Sequence, residues 1–119
     1  MAAKKAWKPV VIVRHIPLRG GYTTGKYPKY YGVGNPLFRV EVDWFDLDQK
    51  LIANGLDDSA VKGCKYPADL QRLLRGVGAT ERASEVEKLA SIDEDEFRAS
   101  DRGAAKDRVR KLAPFATVR

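Results

Sequence analysis

The sequence predicts an α+β fold in which a small antiparallel sheet of about three strands is packed by about four helices. Two segments favour strands: a β-branched run opening at Val10 and an alternating segment from Leu37 to Trp44. Most of the remaining chain has apolar residues at helical spacing, bounded by capping and breaking residues. At 119 residues, 44% of them hydrophobic and 32% charged, the chain is long enough for one domain with its own core.

The two main strands are expected to pair with each other. The four residues from Val10 to Val13 are all β-branched, so a strand is predicted from Val10 to about Ile16. The segment from Leu37 to Trp44 alternates apolar and charged residues, which predicts a half-buried strand antiparallel to the first. Its predicted inward residues are Phe38, Val40, Val42 and Trp44.

The connection between these strands is rich in turn-forming residues. Residues 20–36 contain five glycines and two prolines, a composition that excludes a helix. We therefore expect a loop or an irregular hairpin connection.

The middle of the chain changes to helical patterns. Asp46 is predicted to cap a short helix, Leu47–Asn54, that Gly55 ends in a left-handed conformation. A second helix is predicted over Tyr66–Gly76, with Pro67 at its first turn. A third opens at Thr80 or Ser84. Its apolar stripe is Ala83, Val86, Leu89 and Ala90.

The last part of the chain predicts a short strand and a terminal helix. Residues 96–99 form the strand, and Ser100 is expected to cap a helix that Pro114 stops. The residues predicted to face the core are Ala105, Val109 and Leu112.

The net charge of +6 is unevenly distributed along the chain. Residues 1–40 carry eight Lys or Arg and no Asp or Glu, residues 41–100 have a net charge of −6, and residues 101–119 have +4. An acid-free segment favours a polyanion or an acidic protein as partner, although the same charges could simply keep the surface soluble. No apolar run reaches the roughly 20 residues of a membrane span, so no membrane partner is expected.

Two segments carry a resemblance to a known group of proteins. Gly20-Gly21-Tyr22 followed by Tyr31-Gly32-Val33-Gly34-Asn35-Pro36-Leu37, and the passage from Phe97 to Ala105, resemble small uncharacterised bacteriophage proteins. The resemblance covers about forty residues. Residues 47–95 look like a helical insertion between the two resembling segments, within a single domain. It implies a phage or prophage accessory protein of the bacterial cytoplasm. Such proteins commonly bind and redirect host machinery, and they include inhibitors of CRISPR and other defences.

Few residues are candidates for catalysis. His15, the only imidazole, would need a nucleophile and a carboxylate near it in space to act in catalysis. Cys64 is the only thiol; adjacent lysines could lower its pKa, but a lone intracellular cysteine is more often inert. The carboxylate run of residues 93–96 lacks the spaced ligands and glycine of a calcium loop, so a solvated turn is expected. We therefore predict a protein that is not an enzyme and that uses neither a cofactor nor a metal ion.

Aromatic and basic residues interleave in the glycine-rich loop. Tyrosines stack on nucleic-acid bases while Lys and Arg neutralise phosphates, and Tyr and Arg also dominate protein–protein hot spots. About half of these rings are expected to anchor the loop to the sheet. The predicted binding residues here are Arg19, Tyr22, Lys26, Tyr27, Lys29, Tyr30 and Tyr31.

A second basic surface is predicted on the terminal helix. Arg102, Lys106 and Arg110 recur every four residues and so share one helical face. This stripe could contact phosphates, or it could be a solvated face that places cations favourably near the C-terminal end of the helix.

Three hypotheses for the function follow. The first is a non-enzymatic accessory protein that inhibits or redirects a host nucleic-acid-handling complex, such as a CRISPR effector, by binding a protein in it. The second is direct DNA or RNA binding through the loop, an exposed sheet face or the last helix. The third is an enzyme that uses His15 or Cys64.

Overall fold

The computed structural model describes residues 8–17 and 35–119. These residues form four strands and five helices, which confirms the predicted α+β class. The strands are β1 (Val10–Ile16), β2 (Leu37–Val42), β3 (Glu96–Arg98) and β4 (Thr117–Val118). The helices are α1 (Trp44–Ala53), α2 (Asp58–Lys62), α3 (Pro67–Gly76), α4 (Thr80–Ile92) and α5 (Arg102–Leu112).

The strands form a single mixed sheet in the order β3-β2-β1-β4. As predicted, β1 and β2 are antiparallel, with Val13 opposite Val40, and β3 is antiparallel to β2. The fourth strand was not predicted, and it runs parallel to β1. Its backbone is held there by two hydrogen bonds of 2.8 Å, one from Thr117 N to Pro9 O and one from Arg119 N to Val11 O.

The first helix begins earlier than the sequence predicted. Trp44 is not the last residue of a strand but the first residue of α1. The cap is Asp43 and not Asp46, because the Asp43 carboxylate accepts a 3.0 Å hydrogen bond from the backbone N–H of Asp46. Gly55 follows the helix with a φ of 104°, the left-handed conformation that was expected.

The unpredicted helix α2 is short, with only five residues. Asp57 caps it by accepting a 3.0 Å hydrogen bond from Ala60 N. Its one buried residue is Val61, so the segment contains too little apolar periodicity to mark it as a helix in the sequence.

The terminal helix ends at Leu112 as predicted, but its cap and one of its predicted core residues differ. Asp101, not Ser100, caps α5 through a 2.8 Å hydrogen bond from Ala104 N to its carboxylate. Leu112, predicted to face the core, is 39% exposed, and Ala113 is fully buried in its place.

The carboxylate run between α4 and β3 is more than a solvated turn. Asp93 is half-buried, and its carboxylate accepts hydrogen bonds from Val42 N at 2.9 Å and from the Trp44 indole Nε1 at 2.8 Å. Glu94 has a φ of 68° and donates its backbone N–H to Val40 O at 2.7 Å. These contacts tie the end of α4 to the junction of β2 and α1.

One continuous hydrophobic core joins the sheet to the helices. The inward side chains of β1 and β2 pack with apolar residues of all five helices. The core includes Val11, Val13, Phe38, Val40, Leu47, Leu51, Val61, Leu70, Leu74, Val86, Leu89, Ala105 and Val109. Across the described part of the chain, every helix is too short or too polar to cross a membrane.

Candidate functional site

The predicted binding residues of the glycine-rich loop lie outside the described residues. They are Arg19, Tyr22, Lys26, Tyr27, Lys29, Tyr30 and Tyr31. The described ranges end after β1 and resume just before β2, and at that end of the strand pair Ile16 lies opposite Leu37.

The sheet has an outer face on the side away from the core. It consists of the outward side chains of β1, β2 and β3, which alternate with the core residues. Ile12, Ile16 and Leu37 on this face are half-buried and lie outside the hydrophobic core that the helices cover. The remaining members of the outer face are Val10, which is buried, and the charged residues Arg14, Arg39, Glu41, Glu96 and Arg98.

Charged side chains form a ladder across the outer face. Arg14 on β1 pairs with Glu41 on β2 at 2.9 Å, and Glu41 also lies 4.0 Å from Arg39. Arg39 in turn pairs with Glu96 on β3 at 2.6 Å. The hydrogen bond and negative charge of Glu96 raise the pKa of Arg39 above its already high value. Opposite charges on neighbouring strands stabilise the register modestly, because the pairs are partly exposed to solvent.

The third outward arginine is also held in place. The guanidinium of Arg98 donates a 2.6 Å hydrogen bond to the carbonyl oxygen of Asn35, the residue that begins the described chain after the loop. The outer face therefore presents oriented arginines between aliphatic side chains, a mixture typical of protein-binding surfaces.

The basic stripe of α5 lies on the solvated side of that helix. Arg102 is exposed and Lys106 half-buried, and neither has an ion-pair partner among the described residues. Arg110 donates a 2.8 Å hydrogen bond to Asp107 on the same helix. The neighbouring Arg108 lies over the Phe97 ring, 4.4 Å from its centroid, so it helps to hold β3 against α5.

The two candidate catalytic residues lie in different parts of the fold. The ring centroid of His15 is 5.5 Å from that of Phe38, at the end of the β1–β2 pair near the loop. Cys64 lies between α2 and α3, and its thiol donates to the carbonyl of Ala60. Burial, followed by the charge of nearby Asp69, raises the pKa of Cys64, so the reactive thiolate is scarce at neutral pH.

A pocket of about 260 Å³ opens between α1 and the start of α3. Trp44 and Asp48, one turn apart on α1, line one side of it, and residues 64–67 line the other. Leu70 completes the lining. This site was not predicted from the sequence, because Trp44 continues the alternating pattern of β2 and so was assigned to a strand. The helical spacing of Trp44 and Asp48 is the signal that would have placed them together.

In the described ranges, 8–17 and 35–119, no three or more His, Cys, Asp or Glu side chains come together in a group that could hold a metal ion. No family model, no curated protein and no solved structure significantly matches this chain.

Proposed function

We propose that this protein is a non-enzymatic binding protein that attaches through the outer face of its sheet to an acidic surface of a partner protein. The observation that carries the proposal is the outer face itself, in which arginines are fixed between half-buried aliphatic residues. Burial of the apolar side chains of such a surface stabilises a complex, and its oriented guanidinium groups can bind carboxylates of the partner.

The state of the arginines favours a protein partner over a nucleic acid. A surface that binds phosphates needs cations that are free to replace counterions. On the outer face, Arg14 and Arg39 already bind carboxylates and Arg98 already binds a carbonyl oxygen. A partner protein can place its carboxylates beside the arginines and its own cations beside Glu41 and Glu96, whereas a phosphate backbone carries only negative charge and would be repelled by those two carboxylates.

The biological setting of the proposal rests on the sequence resemblance. A phage-type accessory protein would act in the cytoplasm of the bacterial host, on a protein of a nucleic-acid-handling or nucleoprotein complex. Inhibition of a CRISPR effector by protein binding is one such role. The excess positive charge suits an acidic protein surface better than it suits mimicry of a nucleic acid.

Direct binding of DNA or RNA is the second candidate, and α5 favours it. Arg102 and Lys106 lie one turn apart and, within the described ranges, have no carboxylate partner. Together with the basic first forty residues, they could contact phosphates of one strand.

Two variants with equal changes in charge separate these candidates. The sheet variant combines Arg14→Gln with Arg98→Gln, and the helix variant combines Arg102→Gln with Lys106→Gln. Each is tagged, incubated with bacterial lysate with and without nuclease, and compared with the wild-type protein. We expect the wild type and the helix variant to capture a partner protein that stays bound after nuclease treatment. The sheet variant should not capture it.

The opposite pattern supports the second candidate. Loss of all captured protein after nuclease treatment, with binding of nucleic acid abolished only in the helix variant, would contradict the protein-binding proposal. In that case the affinity for purified nucleic acid would also fall steeply with salt concentration.

A further inference from the structure

The pocket between α1 and α3 combines aromatic and apolar residues with the charged residues Asp48 and Lys65. Trp44, Tyr66, Pro67 and Leu70 line it, and its volume of about 260 Å³ suits a small group rather than a large cofactor. The Trp44 ring is fixed, because its indole N–H donates to Asp93 at 2.8 Å. Tyr66 is 69% exposed, so an aromatic ring lies open to solvent at the mouth of the pocket.

The carboxylate of Asp48 is the distinctive polar group in this pocket. It makes no hydrogen bond and no ion pair with any residue in the ranges 8–17 and 35–119. Burial raises the pKa of Asp48, which means that the charged form is poorly solvated where it stands. The other ionisable groups that line the pocket are Cys64, Lys65 and Tyr66, and the ammonium of Lys65 is not within ion-pair distance of Asp48.

The same pocket offers little to an anion. It lies beside the N-terminus of α3, where free backbone N–H groups would ordinarily attract negative charge. Here the N–H groups of Lys65 and Tyr66 already donate to the carboxylate of Asp69, at 3.1 and 3.2 Å. Arg72 holds the other oxygen of that carboxylate, so these two N–H groups are already engaged and are not open to an anion.

We propose that this pocket binds an organic cation, an alkylammonium group whose charge is held by Asp48 and whose methylene stem lies against Trp44 and Tyr66. Cations are attracted both to a carboxylate and to the faces of aromatic rings, and Trp provides the strongest of these ring interactions. The site is distinct from the outer sheet face, and the proposal is independent of the function proposed above.

The probe for this site is n-butylammonium, and 1-butanol serves as its neutral counterpart of similar size. Binding is followed by NMR at neutral pH through the Trp44 indole N–H and the backbone N–H groups of Lys65 and Tyr66, with sodium chloride matched in every sample. We expect saturable shifts with n-butylammonium and at least about tenfold weaker binding of 1-butanol.

Two variants assign the interaction to its groups. Asp48→Asn keeps the shape of the side chain and should weaken n-butylammonium binding by about tenfold, whereas Asp107→Asn, an exposed acid on α5, should leave it unchanged. Tyr66→Leu keeps apolar bulk but removes a ring, so it should weaken binding several-fold. The proposal would be overturned if Asp48→Asn bound n-butylammonium as tightly as the wild type does. It would also be overturned if 1-butanol bound as tightly as n-butylammonium, or if the Trp44 indole signal did not shift.

The source of the cation can be found with a second ligand. Nα-acetyl-lysine methylamide presents the same ammonium on a peptide backbone. Binding as tight as that of n-butylammonium would identify a lysine side chain of another protein as a fitting occupant. Binding of n-butylammonium alone would identify a free small amine. Both results support the cation site, and absence of binding by either ligand contradicts it.

Discussion

The carboxylate of Asp93 joins three elements through two hydrogen bonds, to Val42 N and to Trp44 Nε1. Replacing Asp93 with Ala leaves both N–H groups without their acceptor in a partly buried place. Hydrogen bonds to a charged group contribute about 1.5–3 kcal/mol each when buried, and partial exposure reduces this. We expect Asp93→Ala to lower the free energy of unfolding in urea by about 2 kcal/mol.

A neighbouring carboxylate provides the control for this prediction. Asp95 is exposed and contributes only backbone hydrogen bonds to the turn. Asp95→Ala should therefore change the unfolding free energy by less than about 0.5 kcal/mol. Equal losses in the two variants would mean that the turn, and not the Asp93 carboxylate, stabilises this junction.

Asp48 predicts a pH dependence of stability. Burial raises its pKa in the folded protein above the ordinary value of 3.8. The Asp48 carboxyl therefore stays protonated to a higher pH in the folded protein than in the unfolded chain. As the pH rises from the pKa of the unfolded chain to the pKa of the folded protein, the free energy of unfolding falls, and it stays reduced at higher pH. Asp48→Asn should unfold at a higher urea concentration than the wild type at neutral pH.

The difference in unfolding free energy between Asp48→Asn and the wild type should narrow as pH falls toward about 4 and below, because the Asp48 carboxyl then becomes protonated and is uncharged like Asn. Asp107→Asn, in which an exposed carboxylate is removed, should show no comparable gain at neutral pH. A variant that is less stable than the wild type at neutral pH would show that the Asp48 carboxylate has a stabilising partner.

Among the elements, α5 offers a direct test of capping. The Asp101 carboxylate accepts the hydrogen bond of Ala104 N, whereas the exposed Ser100 makes no such bond. Asp101→Ala should lower the unfolding free energy by about 1 kcal/mol, and Ser100→Ala should have almost no effect. Urea denaturation of both variants checks this, and a larger loss from Ser100→Ala would contradict the observed cap.

Elements with a strong periodic pattern could be predicted from the sequence, and weak ones could not. The β-branched run of β1, the alternation of β2 and the stripe of α4 each mark a buried face. The strand β4 has two residues and α2 has five, too few to repeat a pattern. The start of α1 was misplaced because Trp44 continues the alternation of β2, while the Asp43 cap ends the strand first.

The candidate site was harder to predict than the fold because it depends on long-range pairing. The ladder from Arg14 through Glu41 and Arg39 to Glu96 exists only once three strands are in register. From the sequence, an exposed sheet face was expected only as one of three routes for nucleic-acid binding, and the predicted site residues lay in the loop and on α5. The loop residues lie outside the described chain, so their role stays a prediction.

For the whole molecule, the continuous core predicts that the sheet and the helical middle unfold together. Leu89 of α4 is fully buried in the same core as Val11 and Val13 of β1. Leu89→Ala should cost about 3 kcal/mol and lower the stability of the strands and the helices in one transition. Amide signals of β1 and α4 followed through urea denaturation check this, and two separate transitions would contradict it.

The central claim concerns binding by the outer sheet face, and its most direct test is the affinity for the protein captured after nuclease treatment. We expect the sheet variant, Arg14→Gln with Arg98→Gln, to raise the dissociation constant at least about tenfold, because oriented arginines are frequent hot spots. The helix variant, Arg102→Gln with Lys106→Gln, has the same charge and should bind like the wild type. Unchanged affinity in the sheet variant, or an equal loss in both, would contradict the account.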